Sequence, residues 1–273
     1  MKKTAIFLIL ATFIISCNED TENTSTATQV STKINFNIQL PDSVREAILE
    51  GLMIFENTVV PPNACSYGQL GNVNIIKGNS REANGGVGVA EGYAVPGIIY
   101  INPETKMSRM MWRNFAKHEA FHLIKPKKYL PLNKTYKIRS GEELVGVWGL
   151  SLVFMNEDRK IVYGLFTEEA GAEAIACVTK GGYAINSDYY YDLGMFLNKI
   201  IKEGWITRCE LIEWQRTNGM KFFCSAILNI PLNDIEQNPE LMIRVSEIFY
   251  SIAVGEDQNL ILSDLRRQRS LEK

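Results

Sequence analysis

Lys117-His118-Glu119-Ala120-Phe121-His122 closes a stretch in which Met107, Met110, Met111 and Phe115 recur at helical spacing from about Thr105 onward. Residues four apart project from one face of a helix, so the two imidazoles can reach a single ion. Glu119, one step round from His118, can stand beside the position that the ion leaves open. Zinc takes neutral imidazole and carboxylate ligands, and a catalytic site keeps one place for water. A glutamate at that place would accept the water's proton and pass it to a leaving amine. The spacing therefore fits metal-assisted hydrolysis. The chain has only two histidines, both in this hexapeptide, so a third protein ligand has to come from another residue type. A carboxylate is expected.

Downstream, Phe166-Thr167-Glu168-Glu169-Ala170-Gly171-Ala172-Glu173-Ala174 reads as the start of a second helix, capped by the Thr167 hydroxyl and running through Cys177 to Gly181. Its small residues let it approach the first helix closely. Glu168 and Glu169 compete as third ligand. Glu169 is favoured because it alone pairs with an acid four residues on, and Glu173 is placed to accept the distal N–H of a ligand histidine and fix its tautomer. Glu169 lies 47 residues after His122. Between them Leu144–Met155 and Arg159–Leu165 read as β-prone runs joined into a hairpin, and Pro126 ends the first helix near Lys125. Lys125, Lys127 and Lys128 read as a solvated turn, and the methionines near 107 to 111 as core.

Upstream, Ile34–Leu40 alternates like a strand and Pro41-Asp42 opens a helix whose apolar positions are Val44, Ile48, Leu49, Leu52 and Met53. Asn72–Lys77 and Gly97–Asn102 read as strands separated by Gly-rich turns. Beyond Ser187 helical patterns alternate with breaks at Gly204, Gly219 and Pro231. Strands crowd the first half and helices the second, which argues an α+β fold: a small twisted N-terminal sheet with the active-site helix, then a C-terminal helical lobe. Residues 34–273 show no linker or repeat and are expected to form a single domain.

The whole chain of 273 residues carries 29 basic and 31 acidic side chains and is 46% hydrophobic. That balance excludes a disordered chain and gives no support to nucleic-acid binding. Lys2 and Lys3 precede a nearly wholly apolar run from Thr4 to Ser16, the length of a signal-peptide core and short for a membrane span. Ile14-Ile15-Ser16-Cys17 resembles a bacterial lipobox. Residues 1–16 are then a lipoprotein signal peptide, Cys17 carries the lipid that anchors the chain to a membrane, and residues 17–33, rich in Thr, Ser, Asn and Glu, are a flexible tether. Glu19 and Asp20 resemble the export tags of some surface-displayed lipoproteins, so the expected location is extracytoplasmic, on the outer membrane or cell surface. Cys65, Cys177, Cys209 and Cys224 can pair in three ways or remain as buried thiols.

The His-Glu-x-x-His helix followed by a glutamate helix resembles the gluzincins, the thermolysin-like clan of zinc metallopeptidases, over roughly the span from Gly97 to Gly181. The resemblance implies a zincin-like fold and a Zn2+ cofactor. It implies that His118, His122 and Glu169 are metal ligands, that Glu119 is the general base, and that Glu173 is the supporting acid. A peptide or protein is the implied substrate. Zincins bind extended peptide along an edge strand beside the metal, which here points to Gly97–Asn102. They also supply an oxyanion donor from the later helices, and Tyr183, Tyr189, Tyr190, Tyr191 and Arg208 form the pool. The competing reading is a non-catalytic zincin-fold lipoprotein that binds peptide or glycan.

Overall fold

A computed structural model describes residues 32–60, 65–78, 92–95, 97–138, 141–157, 161–176 and 188–271. Cys17, the apolar leader and most of the tether lie outside the described residues, as do Cys177 and Tyr183. Strand β1 (Lys33–Phe36) leads into helix α1 (Asp42–Asn57). Pro41 starts this helix, Asp42 favours its positive end, and Ala47, Ile48, Gly51, Leu52 and Phe55 form one buried stripe. A short antiparallel ladder of β2 (Val59–Val60) and β3 (Cys65–Ser66) follows.

Strands β4 (Asn72–Lys77), β5 (Gly92–Val95) and β6 (Ile98–Ile101) join β1 in a four-stranded sheet of order β1-β4-β6-β5. The β1-β4 and β4-β6 pairs are parallel, with Ile34 opposite Val73 and Ile75 opposite Ile99, whereas β5 runs antiparallel to β6. Val73, Ile75, Ile99 and Ile101 are fully buried, as period-two alternation requires. The strand expected at the edge, Gly97–Asn102, is interior: β6 is paired on both sides, and β5 forms the edge and lies against the next helix. The Ile98-Ile99 and Ile101 run is apolar because two neighbours cover it.

Helix α2 (Arg109–Leu123) carries the His-Glu-x-x-His sequence. It begins four residues later than the periodicity suggested, because the Ser108 hydroxyl caps it by accepting from the Met111 N–H at 3.3 Å. Met110 is exposed and Met107 and Met111 are half-buried, so the methionines expected in the core lie at its margin or outside it. Strands β7 (Leu130–Lys137), β8 (Glu143–Trp148), β9 (Ser151–Met155) and β10 (Ile161–Gly164) then form an antiparallel meander in chain order. The expected hairpin is thus a four-stranded sheet, its first run split at Gly149-Leu150. Gly149 has φ +61°, and a Cβ there would lie 2.3 Å from Gln215 Oε1, so the turn requires glycine. Strand β7 was not foreseen. It is an edge strand with Pro131, Lys134 and Lys137, and it buries too little to show a pattern.

Helix α3 (Phe166–Ala176) has every residue from Ala170 onward buried. The Thr167 hydroxyl does not cap it. It lies inside the first turn and donates to the Leu150 carbonyl, tying α3 to the meander. Helix α3 packs on α2, and a Cβ at Gly171 would meet the Phe121 ring at 2.7 Å, so the close approach depends on that glycine. Helices α4 (Asp188–Lys202), α5 (Arg208–Arg216), α6 (Met220–Leu228), α7 (Leu232–Gln237), α8 (Glu240–Ala253) and α9 (Gln258–Leu271) complete the C-terminal lobe. The breaks at Gly204, Gly219 and Pro231 fall between them. Helices α4 and α8 pack on α3, their Leu193, Phe196, Val245 and Phe249 are fully buried, and both lobes share one hydrophobic cluster.

Cys65 in β3 is disulfide-bonded to Cys209 in the first turn of α5, a crosslink across 144 residues. Cys224 in α6 is a free, buried thiol whose pKa burial pushes well up. Among the described residues no helix is long and apolar enough to cross a membrane.

Candidate metal centre

Where α2 meets α3, His118, Glu119 and His122 are all buried, and the first two turns of α3 bring three carboxylates to them. Glu169 Oε2 lies 3.1 Å from His118 Nε2 and 3.7 Å from His122 Nε2, and the two Nε2 atoms are 3.0 Å apart. Glu173 Oε1 is 3.0 Å from His118 Nδ1, and Glu168 Oε1 is 2.6 Å from His122 Nδ1. Each imidazole therefore has one nitrogen on a carboxylate behind it and turns the other toward Glu169.

This arrangement suits one tautomer of each ring when an ion is bound. His122 Nδ1 is hydrogen-bonded to Glu168, and His118 Nδ1 lies 3.0 Å from Glu173 Oε1; with both rings neutral and protonated at Nδ1, each Nε2 would offer a lone pair. The two Nε2 atoms face one another, and Glu169 Oε2, buried and without a hydrogen-bond donor, faces both. With both Nε2 atoms unprotonated, three acceptors this close would repel unless a cation stood among them. Ligands about 2.0–2.2 Å from a tetrahedral ion are separated by roughly 3.3–3.5 Å, and the separations here, 3.0, 3.1 and 3.7 Å, bracket that. The His118, His122, Glu169 cluster can hold a divalent metal such as Zn2+, and no protein side chain among the described residues supplies a fourth donor to it.

The electrostatics agree with the geometry. Burial alone would drive both imidazoles down. Glu169 with Glu173 outweighs it at His118, and Glu169 with Glu168 raises His122 to about 9. The pocket is built to hold positive charge. Glu169 is held well below the usual carboxylate range despite its burial, chiefly by His122 and His118. Glu119 behaves in the opposite way: burial pushes it up to about 7, and its Oε2 is buried without a hydrogen-bond partner. A buried carboxylate with one oxygen unsatisfied beside a cluster of potential metal ligands marks a candidate functional site.

Glu168, which the sequence offered only as a competitor for the metal, instead holds His122 from behind. Its carboxylate also accepts from Lys125 Nζ at 3.0 Å, from the Ser151 hydroxyl, and from Gln215 Nε2 at 3.0 Å. Lys125 is not part of a solvated turn. It is buried, with Nζ 3.9 Å from the centre of the Trp148 ring, while Lys127 and Lys128 are exposed. Its position three residues after His122, near one face of the helix end, was the one available signal; Ser151 and Gln215 gave none. In the tyrosine pool, Tyr190 on α4 has its ring centre 5.9 Å from that of His118, edge-on. The side chain of Tyr189 lies outside the described residues, Tyr191 is half-buried, and Arg208 donates to Asn198 Oδ1 at 2.8 Å.

Comparison of the chain with family models, curated proteins and solved structures gave no match. The reading of the site therefore stands on its geometry.

Proposed function

We propose that the protein is a zinc-dependent hydrolase of peptide bonds, carried outside the cytoplasm on a lipid attached to Cys17. The observation that carries this reading is the convergence of two Nε2 atoms and the Glu169 carboxylate beside Glu119, a buried carboxylate whose Oε2 has no hydrogen-bond partner. His118, His122 and Glu169 would hold the ion. When bound, it supplies Lewis acidity to a substrate carbonyl and to a water molecule. Glu119, buried beside the ligands, would take the water's proton and return it to the departing amine. Glu173 and Glu168 keep both rings oriented with Nε2 inward. Tyr190 is the tyrosine to test as donor to the developing oxyanion. The antiparallel edge of β5 beside α2 offers backbone groups along which an extended peptide can add as a strand. The Cys65–Cys209 disulfide supports a compartment outside the reducing cytoplasm.

The test combines metal analysis of the soluble chain with a peptide-degradation screen, with and without chelator. Glu119→Gln should retain one equivalent of zinc and lose turnover by several orders of magnitude, whereas His118→Ala should lose both. Undiminished turnover in Glu119→Gln would remove the mechanism.

A further inference from the structure

The Glu168 carboxylate is fully buried, yet it is not a ligand, and it gathers donors from four separate parts of the chain. His122 Nδ1 comes from α2, Lys125 Nζ from just beyond it, Ser151 from β9 and Gln215 Nε2 from α5. Of these donors only the Lys125 amine reaches both oxygens, at 3.0 and 3.3 Å. The ammonium is itself fixed on its far side by the Trp148 ring, 3.9 Å away, and that indole is pinned by its N–H donating to the Pro126 carbonyl at 2.5 Å. Pro126 directly follows Lys125, so the lysine backbone and its aromatic platform are locked to one another.

A lysine normally keeps its head in water, and burying one requires a partner at close range. Here the partner is a carboxylate whose remaining task is to orient a ring. With Lys125 in place, Glu168 grips Nδ1–H of His122 at 2.6 Å and adds no net charge beside a centre that already holds Glu169, Glu173 and Glu119. We propose that Lys125 is a positioning residue of the metal centre, acting through Glu168 to hold His122 with Nε2 toward the ion. The proposal rests on the metal-site reading above and assigns a role to a side chain that touches neither metal nor substrate.

The experiment is a competitive chelator titration of Zn2+ with the soluble chain and its variants. It is paired with the Tm of each protein, metal-free and metal-loaded, and with the visible spectrum of the Co2+ form. Lys125→Met should weaken Zn2+ binding by roughly 10–100-fold, the range for lost partners of ligand histidines, and should shift the Co2+ spectrum. Lys125→Arg, which keeps the charge and can still stack on Trp148, should recover most of the affinity. Because the lysine acts through Glu168, the Lys125→Met, Glu168→Gln double variant should bind no more weakly than Glu168→Gln alone. A purely structural role would lower metal-free and metal-loaded Tm equally; the proposal requires the Tm rise on metal binding to shrink. If Lys125→Met does not fold, Lys125→Gln, uncharged but still a donor, should lose affinity in the same direction. Wild-type affinity in either variant, or losses that add in the double variant, would overturn the proposal. A wild-type chain that binds no Zn2+ would instead overturn the metal-site reading beneath it.

Discussion

Glu168 and Glu169 are adjacent and chemically identical, yet one faces the ion position and the other a ring nitrogen that the ion never meets. A helix turns about 100° per residue, so neighbours on the first turn of α3 address the two sides of the same imidazole. Their substitutions should therefore separate. Glu169→Ala removes a ligand and should abolish stoichiometric zinc at micromolar metal, while Glu168→Gln should leave the site loadable at roughly 10–100-fold lower affinity, as measured by chelator competition. Tyr190→Phe should retain zinc, and if its hydroxyl serves the oxyanion, kcat should fall by about 100–1,000-fold with little change in KM. Cys224 offers a pH test. Its buried thiol keeps a proton that the unfolded chain releases above about pH 8.5, so it lowers stability as pH rises past that point. Alkylation at pH 8 followed by peptide mapping should leave Cys224 unlabelled until denaturant is added. At this scale the sequence was legible wherever spacing alone determined direction, as for His118, His122, Glu169 and Glu173. Lys125 was hidden because burial of a lysine depends on an aromatic face and a carboxylate that only tertiary packing brings to it.

Helices α2 and α3 set the metal geometry through how closely they pack, and Gly171 against Phe121 determines that distance. Gly171→Ala would drive a Cβ to 2.7 Å from the ring and should cost about 1–3 kcal/mol, a Tm loss of several degrees. Zinc affinity should fall with it, because Glu169 moves with α3. The run of small residues from Ala170 to Ala174 announced this contact, and the amphipathic stripe of α1 and the alternation in β4 announced theirs. The meander was less legible. Val145–Leu152 is apolar on both sides of Gly149, so nothing in its hydropathy separates two strands from one; the division comes from a positive-φ glycine packed against Gln215. Strand β6 misled for a related reason: a short apolar run has the same sequence pattern whether it has one neighbour or two.

Across the whole molecule two links join segments distant in sequence. A metal held by His118, His122 and Glu169 would close the excursion made by the meander. Saturating zinc at a hundredfold excess over its dissociation constant should add about 2.7 kcal/mol, on the order of 5–10 °C in Tm for a domain of this size, read by scanning with and without chelator. The Cys65–Cys209 bridge restrains a loop of 144 residues, and replacing both cysteines by serine should cost roughly 2–5 kcal/mol in denaturant unfolding. The division into a sheet-bearing first half and a helical second half was readable from periodicity. The pairing of the cysteines was not, because partner choice depends on which segments the finished fold brings side by side.

Helix α5 carries both Cys209 in its first turn and Gln215 near its end, and Gln215 bonds both the Phe121 carbonyl and the Glu168 carboxylate. The covalent bond at one tip of this rod restrains the same element that presents Gln215 to Glu168 at the other, so breaking it should loosen that contact. Reductants added during purification should lower the zinc content of the recovered protein as well as its melting temperature. During biogenesis, thiol oxidation would come before efficient metal loading.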